Sequence, residues 1–342
     1  MVDYPHVLVI LGTRSDPHVD RVALLLERYS TIKVVIVDYL DDTRFSFEMN
    51  EKGENLLIIN GHKLPKEYLV WDRRKILPGT DLYIKGNYES RGFIADEWRA
   101  FYTLICGLNP GNVVNSLESR SCMVKPIQQI VAASSGLLVP PTLVCNDKPE
   151  AIRFQSAHEG KLILKSLSGA KVSNPGDGEV IPFNIMTMRI GIDDLAQASS
   201  AEIAYCPHFF QAEIEKSHEL RVVYVNGHIL PFQVDSQSHR LSELDWRKAL
   251  DCVPFRPCEI DARLSTKISS FMTSMKFFSG SLDFIIDKRG QPWFLECNQD
   301  GAWGWLDDIC NGDISKAFAS AFSKQLGLAL NLAPPSKEPE TI

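Results

Sequence analysis

The sequence predicts a mixed α/β protein that opens with a β-α-β unit and continues into α+β structure. Apolar runs at 6–12 and 33–38 have the length and residue types of buried strands, and a helical pattern at 16–30 lies between them. Farther along, the Asn-Gly pairs at 60–61 and 226–227 are strong signals for tight hairpins. Strand pairs and helices therefore mix along the whole chain, which is typical of α/β and α+β architecture.

The helix predicted at 16–30 carries Val19, Val22, Ala23 and Leu26 on one apolar stripe. No GxGxxG motif follows the first strand, so the fingerprint of dinucleotide-binding proteins is absent. The composition of 333–342 predicts a disordered tail. The other predicted helices are at 96–108, 123–136, 149–156, 261–277 and 313–328, and the other predicted strands lie within 56–64, 108–116, 137–145, 161–169, 208–214, 219–234 and 281–298.

Composition limits the classes of protein to consider. The chain has 342 residues, of which 44% are hydrophobic and 23% charged, enough for two or three lobes. A net charge of −7 argues against nucleic acid as the main partner. No apolar run reaches the roughly 18 residues that a membrane span requires, and the N-terminal residues lack the basic region of a signal peptide. None of the eight cysteines forms a CxxC pair, so we expect reduced thiols and a cytoplasmic protein.

Two acids and an amide interrupt an apolar hairpin pattern at 281–298. The tightest turn is at Arg289-Gly290, and a two-residue loop there fixes which residues face each other across the strands. The facing pairs predicted by this register are Lys288 with Gln291, Ile286 with Trp293, and Asp283 with Glu296.

In that register Asp283 and Glu296 lie about 5 Å apart at Cβ, and Asn298 shares their face. Two carboxylates this close repel unless one is protonated or a cation lies between them. Oxygen ligands from Asp, Glu and Asn suit Mg²⁺, which water and phosphate usually complete. The alternative is a polar hairpin face turned to solvent, and the segment alone leaves both interpretations open.

Two lysines are candidates for binding an anion. Lys125 comes early in a helix, and Lys165 ends an apolar strand, where its ammonium must reach water or an anion such as phosphate. The polar, Gly-rich run at 166–179 has the composition of a phosphate-covering loop. The alternatives are lysines whose charged heads reach solvent, and a mobile surface hairpin.

Polar residues also mark the segments between the lysines and the hairpin. Residues 211–214 leave a strand with backbone groups that can bind the edge of a base, and Glu219 can take ribose hydroxyls. Arg221 shares a strand face with Glu219, and Arg247 has the planar fork that suits phosphoryl oxygens. The alternatives are a surface salt bridge and an arginine on a helix surface.

The order of these features resembles the ATP-grasp superfamily, over roughly residues 85–325. The sequence is most similar to the ligases that mature graspetides, the microviridin-type peptides with side-chain ester and amide crosslinks. The stretches that carry this resemblance are YLVWDRRK (68–75), FIADEWRAFYTLICGL (93–108), VVNSLESRSCMVKPIQQIVAASSGLLVPPTLVCN (113–146), HFFQAEIEKSHELRVVYVNG (208–227), DWR (245–247) and LDFIIDKRGQPWFLECNQDGAWGWL (282–306).

The resemblance implies an ATP-grasp fold, with an N-terminal α/β domain at 1–118, a central lobe at 119–206, a C-terminal lobe at 207–330 and a tail at 331–342. It implies ATP and Mg²⁺ as cofactors, and it assigns roles residue by residue. The implied roles are ATP phosphate binding for Lys125 and Lys165, adenine binding for Gln211, Ala212, Glu213 and Ile214, ribose binding for Glu219, catalysis for Arg221 and Arg247, and Mg²⁺ binding for Asp283, Glu296 and Asn298.

The activity implied by the resemblance is a ligase that activates Asp or Glu side chains of a ribosomal precursor peptide as acyl phosphates. Macrocyclic esters or amides then form, with release of ADP and phosphate. A leader segment of the precursor is the expected partner, docked near 168–190. We also expect a homodimer, with neither nucleic acid nor membrane as a partner. Two alternatives stay open: a ligase that joins an amino acid to a small carboxylic acid or protein tail, and an ATP-binding protein without turnover.

Overall fold

The structure is a computed structural model that describes residues 4–38, 43–74, 90–121, 123–167, 171–172, 183–184 and 187–330. The chain divides into two compact units, one made of Met1–Leu117 with Ala302–Ile342 and the other of Glu118–Gly301. The division into domains at 1–118, 119–206 and 207–330 stays a prediction. The predicted tail and most of the Gly-rich run lie outside the described residues.

The described residues form short strands and mostly short helices. None of these helices is both long and apolar enough to cross a membrane. The strands are β1 (Val7–Leu11), β2 (Lys33–Val37), β3 (Phe45–Met49), β4 (Asn55–Ile59), β5 (His62–Lys63), β6 (Leu69–Asp72), β7 (Val113–Val114), β8 (Thr142–Cys145), β9 (Leu162–Lys165), β10 (Lys171–Val172), β11 (Phe183–Asn184), β12 (Met188–Ile190), β13 (His208–Ala212), β14 (Lys216–Val225), β15 (His228–Val234), β16 (Phe255–Pro257), β17 (Ser279–Asp287) and β18 (Pro292–Asn298). The helices are α1 (Pro17–Tyr29), α2 (Arg91–Leu108), α3 (Leu117–Ser121), α4 (Lys125–Ser134), α5 (Lys148–Ala157), α6 (Ile192–Gln197), α7 (Ser200–Ala204), α8 (Ala262–Ser274), α9 (Gly304–Ile309) and α10 (Asp313–Gln325), with 3₁₀ turns at Pro110–Asn112, Ser236–Ser238 and Trp246–Cys252.

The first unit contains a parallel sheet with the strand order β2-β1-β6-β7. Every residue of β1 is buried, and so is the predicted apolar stripe of α1. The helix begins at Pro17 because Asp16 caps it, accepting a hydrogen bond from the N–H of His18, and because proline suits the first helical position. The predicted β-α-β start is confirmed.

The first unit also contains the antiparallel sheet β3-β4-β5. Asn60 and Gly61 join its last two strands with φ angles of 49° and 77°, which is the backbone that a tight type I′ hairpin needs. The hairpin predicted at this Asn-Gly pair is confirmed. Phe101 and Tyr102 of α2 share one apolar core with residues of both sheets.

The second unit contains two larger antiparallel sheets, with the orders β12-β9-β13-β8 and β16-β15-β14-β17-β18, and the short antiparallel pair β10-β11. Helices α5, α6 and α7 pack on the first of these sheets, and α8 packs on the second. Although α4 precedes the first sheet in the chain, its Ala132 belongs to the core of the second sheet, with Phe271 and Phe294. The helix stops before Gly136, which has a φ of 82°, a left-handed conformation common just after helix ends. Lys125, at the start of α4, is thereby carried on the core that also supports β17 and β18.

The β17-β18 hairpin brings Asp283 opposite Glu296, as predicted, but its loop length and strand register differ from the prediction. Its loop has three residues rather than two, and Gly290 in this loop has a φ of 78°. The longer loop shifts the pairing by one residue. One extra residue on β18, Leu295, forms a β-bulge that shifts the pairing back.

The pairs predicted between the loop and the bulge are wrong. Ile286 faces Pro292, and Trp293 faces Ile285. The N–H of Asp287 donates to the carbonyl of Gln291 at 3.1 Å, so Lys288 lies in the loop rather than opposite Gln291. The side chain of Asp287 stabilises the wider loop, because it accepts hydrogen bonds from three donors in and beside this turn. These donors are the N–H groups of Arg289 and Gln291, each at 2.8 Å, and Nε1 of Trp293, at 3.0 Å.

Candidate active site

A cavity of about 750 Å³ lies in the second unit and is lined by side chains from both of its larger sheets. Its size is that of sites for cofactor-sized ligands. Two predicted residues that do not line it, Arg221 and Gln211, hydrogen-bond to side chains that do. The predicted residues that line it are Lys125, Lys165, Glu219, Arg247, Asp283, Glu296 and Asn298.

Asp283 is buried and paired with Arg221. The two residues face each other on β17 and β14, and Nη1 of Arg221 lies 2.7 and 2.9 Å from the two carboxylate oxygens. The guanidinium of Arg221 also lies over the ring of Trp246, 5.6 Å from its centroid. Burial raises the pKa of Asp283 above its ordinary value, and the charge of Arg221 offsets this only in part.

Glu296, across the hairpin from Asp283, is surrounded by cations. Its carboxylate lies 3.3 Å from Nζ of Lys125 and 3.6 Å from Nη1 of Arg247. Burial by itself raises the pKa of Glu296, but these two cations and Lys165 together outweigh burial, and the net shift is downward. Glu296 is therefore an ionised carboxylate inside the cavity.

Asn298 lies beside Glu296, and its Nδ2 donates to a carboxylate oxygen at 3.4 Å. In the part of the chain that the structure describes, no three His, Cys, Asp or Glu side chains come together to hold a metal ion. The predicted metal ligands are instead two carboxylates, from Asp283 and Glu296, and the side-chain amide of Asn298. Those oxygen donors fit Mg²⁺ when phosphate and water supply the remaining ligands. The predicted metal site therefore depends on a phosphate ligand in the same cavity.

Both predicted lysines reach the cavity. Nζ of Lys165, at the end of β9, donates to Oε1 of Gln211 at 2.8 Å, and Nζ of Lys125 donates to the carbonyl of Ser166 at 3.0 Å. Burial lowers the pKa of Lys165 to about 8, although Glu296 acts to raise it. An anion in the cavity would supply the charge that a buried ammonium lacks.

Glu219 is buried on β14 and is paired with Lys216, a residue missed from the sequence. Nζ of Lys216 lies 2.6 Å from Oε1 of Glu219 and donates to the carbonyl of Leu244 at 3.1 Å. Burial raises the pKa of Glu219, and Lys216 opposes that shift. The sequence carried no clear signal for this pair, because residues three apart lie on opposite faces of a regular strand, and the contact depends on a β-bulge between Lys216 and His218.

Arg247 is oriented by Asp245, a second residue missed from the sequence. Two oxygens of Asp245 accept from Nε and Nη2 of Arg247, each at 2.8 Å, and Asp245 also caps the 3₁₀ turn that begins at Trp246. Burial by itself raises the pKa of Asp245, but Arg247 lowers it more, and the net shift is downward. The Asp-Trp-Arg spacing carried this signal, because a bidentate fork needs a carboxylate within reach.

Three predicted adenine contacts lie at the end of β13 and do not line the cavity as described. The N–H of Ala212 donates to the carbonyl of Pro141 at 2.9 Å, and the N–H of Glu213 donates to that of Lys161 at 3.0 Å. The contact of Ala212, Glu213 and Ile214 with adenine therefore stays a prediction. The carboxylate of Glu213 is held instead by Arg189, at 2.7 Å.

Comparison with protein-family models gives no match, and neither does comparison with curated protein sequences. Comparison with solved structures gives matches over nearly the whole chain. A ligase from Chryseobacterium gregarium, described as a RiPP-associated ATP-grasp ligase in complex with ADP and a leader and core peptide, has a TM-score of 0.80. It is 23% identical, and the match covers 94% of this chain and 97% of the ligase. This chain has the ATP-grasp fold.

Two macrocyclases from Microcystis aeruginosa support the assignment of the ATP-grasp fold. MdnC, solved with the precursor peptide MdnA, is 21% identical with a TM-score of 0.75, over 93% of this chain and 99% of MdnC. MdnB is 25% identical with a TM-score of 0.69, over 92% of this chain and 98% of MdnB. The predicted ATP-grasp fold is confirmed, and the charged cavity is the candidate nucleotide site within it.

Proposed function

We propose that the protein is an ATP-dependent ligase that activates a carboxylate as an acyl phosphate and joins it to an amine or a hydroxyl. The observation that carries the proposal is the convergence of Lys125, Lys165 and Arg247 around Glu296 in a cavity of nucleotide size. The ATP-grasp fold supports it, and so does the ADP bound by the Chryseobacterium gregarium ligase.

In this proposal the nucleotide binds along the β9 side of the cavity. Lys125 and Lys165 hold the phosphates, because Lys125 presents its ammonium from the start of α4 and Lys165 from the end of β9 toward the same cavity. The backbone groups of the hinge segment Gln211, Ala212, Glu213 and Ile214 flank the adenine, so the side chain of Gln211 takes no part in this contact, and Glu219 accepts the ribose hydroxyls. Lys216 keeps Glu219 in place for that contact.

Asp283, Glu296 and Asn298 are the proposed Mg²⁺ ligands. Mg²⁺ held by these residues would neutralise negative charge that develops during phosphoryl transfer. The cavity suits this role because Glu296 is held ionised by the surrounding cations. A neutral acid in its place would be a weaker ligand for a divalent cation.

The chemistry asks for positioning and charge stabilisation rather than side-chain proton transfer. The substrate carboxylate attacks the γ-phosphorus, ADP leaves, and the resulting acyl phosphate is attacked by an amine or hydroxyl with release of phosphate. Arg247 is the residue placed to stabilise the developing negative charge, because its guanidinium is fixed by Asp245 and points toward Glu296. Arg221 does not line the cavity, and its role in this proposal is to hold the side chain of Asp283 by a hydrogen bond.

The proposed substrate is a ribosomal precursor peptide, whose Asp and Glu side chains are crosslinked into macrocyclic esters or amides. Support comes from the similar structures: the Chryseobacterium gregarium ligase holds a leader and core peptide, and MdnC holds its precursor peptide MdnA. A leader bound away from the chemistry raises the local concentration of each core side chain. We place leader docking near 168–190. The homodimer and the cytoplasmic location stay predictions.

The test is a reconstitution with the precursor encoded beside the gene, which we expect to be rich in Thr, Ser, Lys, Asp and Glu. With ATP and Mg²⁺, mass spectrometry should show the loss of one water per crosslink, together with one ADP per crosslink. The core peptide alone should be modified slowly, and leader added in trans should restore part of the rate.

The matched control is a precursor with every core Asp and Glu replaced by the amide, which should release no ADP above background. Crosslinking that proceeds at the full rate on a leaderless core would contradict the peptide proposal and favour a small-acid ligase. Absence of ADP release with any carboxylate would contradict the ligase proposal.

A further inference from the structure

A chain of hydrogen bonds through three polar side chains ends at Lys165. Nζ of Lys165 donates to Oε1 of Gln211 at 2.8 Å, and Nε2 of Gln211 reaches Oγ1 of Thr142 at 3.3 Å. The same Thr142 oxygen lies 2.9 Å from Oε1 of Gln129. The four residues belong to β9, β13, β8 and α4, so the chain crosses three neighbouring strands and a helix.

The strand register explains why these side chains meet. Gln211 faces Thr142 on one neighbouring strand and Ile163 on the other. Lys165 is two residues beyond Ile163, so it lies on the same face of the sheet and is the diagonal neighbour of Gln211. Gln211 is 1% exposed, and a buried amide of this kind must have its donors and its acceptor satisfied by defined partners.

The hydrogen-bond chain has a fixed direction because the Thr142 hydroxyl has a single proton. Two acceptors, Oε1 of Gln129 and the carbonyl oxygen of Pro140, each lie 2.9 Å from that hydroxyl. Whichever of them takes the proton, the lone pairs of Thr142 remain for the Nε2 donor of Gln211. The amide of Gln211 is therefore turned with its oxygen toward Lys165.

We propose that Gln211 is a positioning residue, which acts by holding Lys165 toward the nucleotide phosphates, and that Thr142 and Gln129 set the orientation of its amide. This inference rests on the proposed nucleotide site. An amide oxygen suits the role because it binds an ammonium without cancelling its charge. A carboxylate in the same place would pair with Lys165 and weaken its attraction for phosphate.

The test compares ADP with adenosine, which lacks phosphates, in the full-length protein. Thr142→Val removes the hydroxyl at nearly constant shape. We expect it to weaken ADP binding roughly threefold to tenfold, the size expected for one hydrogen bond, while adenosine binding is unchanged. Thr142→Ser keeps the hydroxyl and should recover most of the ADP affinity. Thr266→Val, on the exposed face of α8, is the matched control for a threonine-to-valine change.

Gln211→Glu provides a second test that does not depend on how Thr142→Val folds. Its shape is nearly that of the wild type, and its carboxylate should weaken ADP binding without weakening adenosine binding. Wild-type ADP affinity in both Thr142→Val and Gln211→Glu would overturn the inference and leave the proposed function standing. Equal losses for ADP and adenosine would also overturn it, because the network would then shape the base site. A wild-type protein that binds no ADP would overturn the proposed function and this inference with it.

Discussion

The side-chain amide of Gln128 makes hydrogen bonds to both backbone groups of Cys297. Oε1 of Gln128 accepts from the N–H of Cys297 at 2.7 Å, and its Nε2 donates to the carbonyl at 3.1 Å. β18 is an edge strand, and although Leu138 bridges it at Trp293 and accepts from the N–H of Phe294, no further strand of the described residues lies beside Cys297. Gln128 takes the place of that strand. Because Cys297 lies between Glu296 and Asn298, α4 fixes the backbone that carries two of the three proposed metal ligands.

We predict that Gln128→Glu weakens Mg²⁺-dependent nucleotide binding. A carboxylate can still accept from the N–H of Cys297, but it repels the carbonyl to which the amide donates. The free energy of unfolding should fall by about 1–3 kcal/mol, the cost of an unsatisfied buried group. Titration of Mg²⁺ at fixed ADP should show a higher Mg²⁺ requirement. Gln155→Glu, on α5 and outside the cavity, is the control, and an equal change in its Mg²⁺ requirement would contradict the prediction.

The two proposed acidic metal ligands should respond differently to removal of their charge. Asp283 is paired with Arg221, so Asp283→Asn leaves a buried arginine without its counter-charge and should destabilise the protein by about 3–5 kcal/mol. Glu296 contacts Lys125 and Arg247, whose side chains are 21% and 47% exposed, so water can solvate both cations when Glu296→Gln removes the carboxylate. Glu296→Gln should therefore keep a near-native unfolding temperature while ATP turnover falls by orders of magnitude. Turnover at the wild-type rate in this variant would contradict the metal assignment.

The facing of Asp283 and Glu296 could be predicted because strand alternation and a Gly-containing turn fix a register to within a residue. The turn and the bulge could not be predicted, because both depend on contacts that form only in the folded hairpin. The wider turn depends on Asp287 and its bond to Trp293, and Leu295 looks like any other strand residue until its partner strand is known. The two register errors cancelled at the site.

The packing partner of α4 was also outside the reach of the sequence. Helical periodicity identifies an apolar face, but it does not say which sheet covers that face. Lys216 and Asp245 were missed for a related reason. The role of a charged residue at a site can be recognised only when its neighbours in the folded chain are known. Leu244, whose carbonyl accepts from Lys216, is 28 residues away in the chain.

Lys165 should make ADP binding depend on pH. The ammonium form binds phosphate, and burial lowers the pKa of the free site from 10.5 to about 8. Affinity should therefore fall as pH rises through 8, with uptake of a proton on binding at pH 8.5. Calorimetry in two buffers with different ionisation enthalpies measures this uptake.

Lys165→Met should abolish the proton uptake and weaken ADP binding roughly tenfold to a hundredfold, as expected for a charge-assisted hydrogen bond. Lys161→Met is the matched control, because Lys161 lies on the same segment with an exposed side chain. A wild-type protein whose ADP affinity is flat from pH 7 to 10 would contradict the assigned role of Lys165.

The first unit should have its own acid-sensitive contribution to stability, centred on Asp16. The side chain of Asp16 pairs with His18 and lies 3.2 Å from Nε of Arg73. Burial by itself raises the pKa of Asp16, but His18 and Arg73 together lower it from 3.8 to about 2. A carboxyl group whose pKa is lower in the folded state stabilises the fold above its unfolded pKa, and this contribution disappears as pH falls toward 2.

Asp16→Asn isolates the charge, because asparagine also caps helices well and α1 should still begin at Pro17. At pH 6 the free energy of unfolding of this variant should be about 2 kcal/mol lower than that of the wild type. The difference should narrow as pH falls below 4, since the wild type then loses the same charge. Chemical denaturation followed at several pH values measures both quantities. Asp20→Asn is the control, because its exposed pair with Arg14 should contribute at most about 0.5 kcal/mol. A difference between Asp16→Asn and wild type that stays constant from pH 6 to 2.5 would show that the lost stability comes from the cap rather than the ion pair.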